Sequence, residues 1–149
     1  MDKVEIYTDG SCLSNPGPGG WAAVLVCRGK EKVLSGGDPD TTNNKMELTG
    51  AIAAFAALKR PCEVVLCSDS KYVIQGLSEN RAKMWRFNGW RRSDGKPALN
   101  IELWEKLLEL TEPHKIEYLW IKGHNGHPYN ERCDIIARSI AMSYKKEDK

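Results

Sequence analysis

Two aspartates stand where a predicted strand ends. Asp9 follows the alternating segment at residues 3–8, and Asp69 comes just after a short apolar run at residues 64–67. Ligands of open α/β sheets gather beyond the carboxyl ends of such strands. Each aspartate is either a helix N-cap, which suits Asp69 because a helix follows at once, or a ligand of Mg²⁺, which prefers oxygen donors. For either residue taken alone, the cap is favoured.

Glu47 and Asp134 shift that balance towards a metal site. Glu47 lies inside a predicted helix among small residues such as Gly50 and Ala51, which indicates a helix face pressed against the sheet. An unpaired carboxylate there is costly unless a cation meets it. Asp134 is followed directly by two isoleucines at the start of the last predicted helix. Four converging acids would bind Mg²⁺ and hydrolyse a phosphodiester, one ion activating water and a second stabilising the leaving oxygen. Periodicity alone does not prove that they converge.

Hydrophobic periodicity predicts the elements that would position these acids. The expected class is α/β in three layers, with a mixed sheet that is antiparallel at first, parallel later, and covered by helices. The predicted strands are residues 3–8, 21–27, 31–35, 64–67 and 116–121, with a Gly/Pro-rich turn at 10–20. The predicted helices are about four turns from residue 42, then 70–77, 99–110, and a last one after residue 128.

Bulk properties indicate one ordinary globular domain. The 149 residues are 41% hydrophobic and 28% charged, with a net charge of +2. No run approaches the roughly 18 apolar residues of a membrane span, and the acidic start is unlike a signal peptide, so a cytoplasmic protein is expected. The five cysteines are odd in number and lack a C-x-x-C pair, which favours free thiols. We expect a domain at residues 1–142 and a charged, frayed tail at 143–149.

The segment at residues 80–97 is strongly basic, although the whole chain is nearly neutral. It carries six cations and one acid, with aromatic side chains interleaved. One interpretation is a solvated helix and loop docked by its aromatics; the other, which the bias in sign favours, is a contact with nucleic-acid phosphates. The candidate contact residues are Lys83, Trp85, Arg86, Trp90, Arg91, Arg92 and Lys96.

Four segments together resemble ribonuclease H type 1, in its bacterial, single-domain form with a basic protrusion. They are TDGSCLSNPGPGG, TTNNKMEL, SDSKYV and KGHNGHPYNERCD, in this order, and the match extends from about residue 4 to 141. The resemblance implies a ribonuclease H-like fold, a five-stranded mixed sheet flanked by helices. It also implies a catalytic metal site made of Asp9, Glu47, Asp69 and Asp134. It gives His124 a role in proton movement or product release, which suits an imidazole.

Substrate contacts are implied by the same resemblance. The positions that contact the RNA–DNA hybrid substrate of the family are matched here by Cys12, Asn15, Asn43 and Asn44. An amide side chain offers both the donor and the acceptor that a 2′-OH requires. Lys71 also matches a contact position, but it departs from the glutamine that bacterial relatives often carry. A lysine reaches a phosphate yet accepts no hydrogen bond, which puts that contact in doubt.

The implied function is an endoribonuclease that hydrolyses the RNA strand of RNA–DNA hybrids. The expected cofactor is Mg²⁺, one or two ions with Mn²⁺ as a substitute, and the expected products carry 5′-phosphate and 3′-hydroxyl ends. A monomer without a membrane or obligate protein partner is expected. Two alternatives stay open: a non-catalytic nucleic-acid-binding module that kept the fold, and a related metal nuclease that acts on DNA.

Overall fold

Five strands form one mixed sheet in the computed structural model, which describes residues 1–91, 94–96, 98–122 and 127–147. The strands are β1 Asp2–Cys12, β2 Gly17–Cys27, β3 Lys30–Thr41, β4 Cys62–Ser68 and β5 Lys115–Trp120. Their order across the sheet is β3-β2-β1-β4-β5. β1, β2 and β3 pair antiparallel, whereas β4 pairs parallel with both β1 and β5. The predicted class, α/β with a five-stranded mixed sheet, is confirmed.

The first hairpin is longer than predicted. β1 runs to Cys12 and β2 begins at Gly17, so the connecting loop has only residues 13–16 and the predicted turn at 10–20 was wrong in extent. Cys12 pairs with Gly19 inside the ladder. Glycine within a strand often marks the close approach of another backbone. Gly20 is such a case, because a side-chain carbon there would collide with the carbonyl oxygen of Ala137.

β3 also exceeds its predicted bounds of residues 31–35. It continues through Gly36, Gly37 and Pro39 to Thr41. β3 lies at an edge of the sheet and has a partner on one side only. Proline and glycine are tolerated in an edge strand because fewer ladder hydrogen bonds are forfeited there.

Five helices in the described residues cover the two faces of the sheet. They are α1 Asn43–Ala56, α2 Lys71–Ser78, α3 Arg81–Phe87, α4 Ile101–Thr111 and α5 Pro128–Glu147. α1 packs on β1 and β2 with α4 beside it, while α5 crosses β1, β2 and β3. Because side chains alternate along a strand, Ile6 of β1 enters the core beneath α1 and Tyr7 enters the cluster beneath α5.

Two helix boundaries differ from the predicted ones. α4 begins at Ile101 rather than at residue 99, after Asn100 in a left-handed conformation with φ +59°. α5 begins at Pro128 and ends at Glu147, so residues 143–147 are helical where a frayed tail was expected. The same start puts Asp134 in the second turn of α5 rather than at its beginning. The domain boundary at residue 142 stays a prediction.

Neither membrane-spanning helices nor disulfides were expected from the sequence. No helix among the described residues is long and apolar enough to cross a bilayer. All five cysteines are free, as predicted, and Cys62, Cys67 and Cys133 are buried. These three side chains act as small hydrophobic groups in the packing.

Candidate metal centre

The parallel pairing of β1 with β4 brings two predicted acids to one edge of the sheet. Thr8 pairs with Ser68 at the end of the ladder, so Asp9 and Asp69 follow side by side. The N-cap of α2 is Ser70, whose Oγ accepts a hydrogen bond from the backbone nitrogen of Val73 at 3.2 Å. The alternative in which Asp69 caps this helix is therefore wrong.

Glu47 reaches the same edge because α1 lies directly against the end of β1. A side-chain carbon on Gly10 would lie 2.5 Å from the backbone nitrogen of Glu47, so only glycine permits this approach. α1 is started one turn earlier by Thr42, whose Oγ1 accepts from the backbone nitrogen of Lys45 at 3.3 Å. Glu47 is consequently only 4% exposed, as its small helical neighbours predict.

α5 contributes the fourth acid from the opposite face of the sheet. The thiol of Cys133 donates to the backbone carbonyl of Tyr7 at 3.4 Å and ties this turn of α5 to β1. The next residue, Asp134, is buried. Arg138, one turn further on, donates from Nη2 to Oδ2 of Asp134 at 2.5 Å. Asp134 is thus held at the site by its own helix and balanced by a largely exposed cation.

Three of the acids form a compact oxygen cluster. One oxygen each from Asp9, Glu47 and Asp69 lies within 4.8 Å of the other two. Oδ2 of Asp9 and Oε1 of Glu47 are buried and have no hydrogen-bond partner among the described residues. Buried polar atoms normally have a partner, because leaving one unsatisfied costs free energy. Carboxylate oxygens so arranged fit a hard divalent cation.

The electrostatics of the site point the same way. Burial, followed by the charges of Glu47, Asp69 and Asp134, raises the pKa of Asp9 far above the usual range of an aspartate. Burial, followed by the charge of Asp69, also raises the pKa of Glu47, although hydrogen bonds from the Gly10 backbone and Ser70 oppose the shift. Without a cation these carboxylates favour proton uptake. A bound cation would offset the negative charge and so lower the pKa of both carboxylates.

The predicted substrate-contact residues near the first hairpin lie together. Oδ1 of Asn15 accepts a hydrogen bond from the backbone nitrogen of Asn43 at 3.1 Å, which joins the hairpin loop to the start of α1. The thiol of Cys12 lies within 3.5 Å of the backbone carbonyl of Thr41. Asn15 and Asn43 are exposed, and Asn44 is half-buried in the first turn of α1. The hydrogen bonds explain the local structure, and binding of a substrate by these residues stays a prediction.

Lys71 begins α2, two residues after Asp69, and its ammonium lies over an aromatic ring. Nζ lies 4.8 Å from the ring centroid of Trp120. The indole nitrogen of Trp120 donates to the backbone carbonyl of Asp69 at 3.0 Å. Lys71 also lines a groove of about 270 Å³ together with Arg81 and Trp85, so this groove runs from the start of α2 to the basic segment.

The cations of the basic segment are exposed. Lys83, Arg86, Arg91 and Lys96 all have exposed side chains. Lys83 and Arg86 line a cleft of about 390 Å³ with His114 and Tyr118, which is separate from the groove of Lys71 and Arg81. The segment therefore presents positive charge to two surfaces of the molecule.

The tryptophans of this segment dock it to the core. Trp85 meets Trp104 edge to face, with ring centroids 5.8 Å apart. Trp90 is half-buried against the same core, and the backbone nitrogen of Ala98 donates to its carbonyl at 2.8 Å. The docking interpretation accounts for both indoles, and nucleic-acid binding by them stays a prediction. Phe87, the third aromatic of the segment, is instead 85% exposed.

Several residues of the site were missed from the sequence. The spacing of Asp134 and Arg138, four apart on a helix, is a known ion-pair signal and could have revealed that pair. Trp120 and Gly10 gave no comparable signal, because their contacts cross between distant elements. Two predicted site residues, His124 and Arg92, lie outside the described residues, and their roles stay predictions.

Known proteins are similar to this chain in sequence and in the arrangement of its elements. The ribonuclease H (RNase H) family model matches residues 1–142. Ribonuclease H of Nitratidesulfovibrio vulgaris is 53% identical over 143 residues, covering 96% of this chain and 92% of that protein. The structure of LC9-RNase H1, described as a type 1 RNase H with the type 2 active-site motif, is 30% identical with a TM-score of 0.83, over 97% of this chain and 74% of that one. LC11-RNase H1, solved with an RNA/DNA hybrid, is 21% identical with a TM-score of 0.70, over 94% and 97% of the two chains, and shares the fold.

Proposed function

The chain belongs to the ribonuclease H family, whose members hydrolyse the RNA strand of RNA–DNA hybrids, and from that premise we propose that Asp9, Glu47, Asp69 and Asp134 hold its catalytic Mg²⁺ ions. The observation that carries this proposal is the pair of buried oxygens, on Asp9 and Glu47, that lack hydrogen-bond partners among the described residues. When bound, two ions supply activation of the attacking water and stabilisation of the leaving oxygen, consistent with 5′-phosphate and 3′-hydroxyl ends.

The chain's own residues prepare the site by concentrating negative charge in a buried place. Metal ions and protons compete for the oxygens of Asp9 and Glu47, because burial and like charge raise the pKa of both. Asp134 is already paired with Arg138, so its negative charge is partly balanced before any metal ion binds. The site is thus poised to bind cations as the pH rises.

We propose that the hybrid lies across the exposed amides near the first hairpin and the cations of the basic segment. Asn15, Asn43 and Asn44, with Cys12, would contact the sugar and backbone edge of the minor groove. Lys83, Arg86, Arg91, Arg92 and Lys96 would contact phosphates, which raises affinity without reading sequence. The related LC11-RNase H1 was solved with such a hybrid. His124 would assist proton movement or product release.

A cleavage assay tests the proposal directly. The substrate is end-labelled RNA annealed to DNA, incubated with Mg²⁺, with Mn²⁺ in its place, or with excess EDTA. We expect RNA fragments with 5′-phosphate and 3′-hydroxyl ends in Mg²⁺, none in EDTA, and none from the Asp69→Asn variant. A DNA duplex of the same sequence is the matched substrate control and should stay intact.

Two other outcomes would favour the alternatives. Tight binding of the hybrid with no cleavage after prolonged incubation would favour a non-catalytic binding module. Cleavage of the DNA duplex at a comparable rate would favour a DNA nuclease. We further propose that the chain acts as a monomer in the cytoplasm, and a mass near 16.7 kDa by light scattering would support the monomer.

A further inference from the structure

Trp120 ends β5 beside the proposed metal centre and is fixed there by the sheet. It pairs with Ser68, the last residue of β4, and the next residue, Ile121, donates its backbone N–H to the carbonyl of Ser68 at 2.9 Å. The indole nitrogen then donates to the carbonyl of Asp69 at 3.0 Å. The ring therefore spans from β5 to the turn that carries a metal-binding carboxylate.

The same ring holds a cation. The ammonium of Lys71 lies 4.8 Å from the ring centroid, and an ammonium over an indole face is attracted by the negative face of the ring. Trp120 is 40% exposed, so the pair stands at the surface, where a large anionic substrate can reach it. Without the contact to the ring, a lysine at an exposed helix start would lose considerable side-chain rotamer freedom when it meets a phosphate.

We propose that Trp120 is a positioning residue with two roles. Its N–H fixes the Asp69 turn, and its ring holds the Lys71 ammonium in place to meet a phosphate of the hybrid near the metal centre. This inference rests on the proposed function, since it needs a hybrid bound at the four acids. It also explains how a lysine can serve at this position: the ammonium is directed by the ring and meets the phosphate as a point charge.

The groove that Lys71 shares with Arg81 gives this cation a neighbour of the same sign. Arg81 is partly balanced by Glu79, whose Oε2 lies 3.1 Å from its Nε. Lys71 instead has the π-face of Trp120 beside it. A phosphate entering the groove would therefore meet Lys71 as a directed charge between the metal centre and the basic segment.

A double-mutant cycle between Lys71 and Trp120 tests the inference. Steady-state cleavage of a defined hybrid is measured at several salt concentrations for Lys71→Met, Trp120→Leu and the double variant. We expect each single variant to raise KM about two- to fivefold, the range of an exposed cation–π contact, and Lys71→Met to reduce the salt slope by about one. In the Trp120→Leu background, Lys71→Met should raise KM by a smaller factor, because the ammonium is no longer directed.

Trp120→Phe separates the two roles. Phenylalanine keeps a ring face but lacks the N–H, so KM should stay within about twofold of wild type. The rise in Tm on adding Mg²⁺ should shrink, because the Asp69 turn no longer has its donor. Lys71→Met should leave that Mg²⁺ response unchanged. Lys59→Met is the matched cation control, and its KM should not change. Lys59 is exposed next to Arg60, which pairs with Asp2 at the opposite end of β1.

Each result bears on one role. Equal KM factors for Lys71→Met in both backgrounds, or an unchanged KM in Lys71→Met alone, would overturn the role of the ring. An unchanged Mg²⁺ response in Trp120→Phe would overturn the role of the N–H. If Trp120→Leu does not fold, the same cycle is run with Trp120→Met, which also lacks a ring face. A wild-type chain that leaves the hybrid uncut would instead refute the proposed function.

Discussion

The backbone of Gly10 in β1 touches the backbone of Glu47 in α1. A side-chain carbon on Gly10 would lie 2.7 Å from the carbonyl carbon of Met46 and 2.9 Å from Oε1 of Glu47. Real side-chain carbons essentially never approach that closely, so any other residue at position 10 must push the helix away. The distance between the carboxylates of Glu47 and Asp9 therefore depends on the absence of a side chain between them.

Gly10→Ala should impair both catalysis and folding. α1 has to move, and a misplacement of about 1 Å at a catalytic site costs on the order of a hundredfold in rate. Overpacking at a buried contact destabilises by about 1–3 kcal/mol. We expect kcat to fall at least about tenfold, and urea unfolding to show the reduced stability.

Gly50→Ala is the matched control for that variant. Gly50 lies in the same helix, but a side-chain carbon there would meet its nearest atoms at 3.6 Å, an ordinary contact. Alanine within a helix is more favourable than glycine by about 0.5–1 kcal/mol. Gly50→Ala should therefore be as stable as wild type or more so, with normal activity. Wild-type kcat in Gly10→Ala would show that the close contact does not position Glu47.

Asp9→Asn should stabilise the metal-free chain at neutral pH. Burial, followed by the charges of its acidic neighbours, raises the pKa of Asp9, so the folded state binds more protons than the unfolded state above about pH 4. The free energy of unfolding must then fall as the pH rises from about 4 through the raised pKa of the folded state. Asparagine is uncharged at every pH, so its folded state needs no proton uptake to avoid the repulsion. Urea unfolding in EDTA at pH 7–8 should show an increase of at least about 1 kcal/mol, while cleavage is abolished.

Glu105→Gln, an exposed substitution in α4, is a charge control for Asp9→Asn. Its effect should stay within about 0.5 kcal/mol, as for most surface positions. If Asp9→Asn were clearly less stable than wild type over the whole range, the Asp9 carboxylate would have a structural role and the interpretation of a strained metal-free site would fail.

The competition between protons and metal predicts how Mg²⁺ stabilisation depends on pH. The pKa values of Asp9 and Glu47 are both raised, so at lower pH a cation must displace protons from their oxygens. A ligand that binds only the folded state stabilises it by an amount that grows with its affinity. The rise in Tm on adding Mg²⁺ should therefore be larger at pH 8.5 than at pH 6. Scanning calorimetry with EDTA-treated protein, at matched ionic strength, measures it; an equal rise at both pH values would contradict it.

Part of this site could be predicted because it follows local rules. Asp9 and Asp69 were found from their places after predicted strands, and the parallel pairing of β1 with β4 then makes them neighbours. Glu47 was found from the small residues around it, which allow α1 to lie against the sheet. The convergence of these acids with Asp134, however, came from the resemblance of four ordered segments to a family, since periodicity does not fix which helix face meets which strand.

Other features could not be predicted because composition gives the same signal for different causes. The glycines at residues 17–20 looked like a turn, but Gly19 and Gly20 lie in a strand where other backbone comes close. The sequence left two interpretations of Trp85 and Trp90 open; both indoles pack on the core, and their contact with nucleic acid stays a prediction. An aromatic side chain serves either purpose, and only the tertiary structure shows which side of α3 faces inward.

The basic segment should contribute to affinity and not to the chemical step. Arg86 and Arg91 are exposed, and neither belongs to the oxygen cluster of the metal centre. Changing Arg86, Arg91 and Arg92 to alanine should raise KM for the hybrid and reduce the salt slope by about 0.7–0.9 for each phosphate that is no longer neutralised, with kcat within about twofold.

Trp85→Ala is the contrasting variant: it removes the packing against Trp104 and should lower the free energy of unfolding. Kinetics at several salt concentrations, with urea unfolding of each variant, would separate the two effects. A large drop in kcat at unchanged KM in the triple variant would mean that the segment acts in the chemical step, against the role proposed for it.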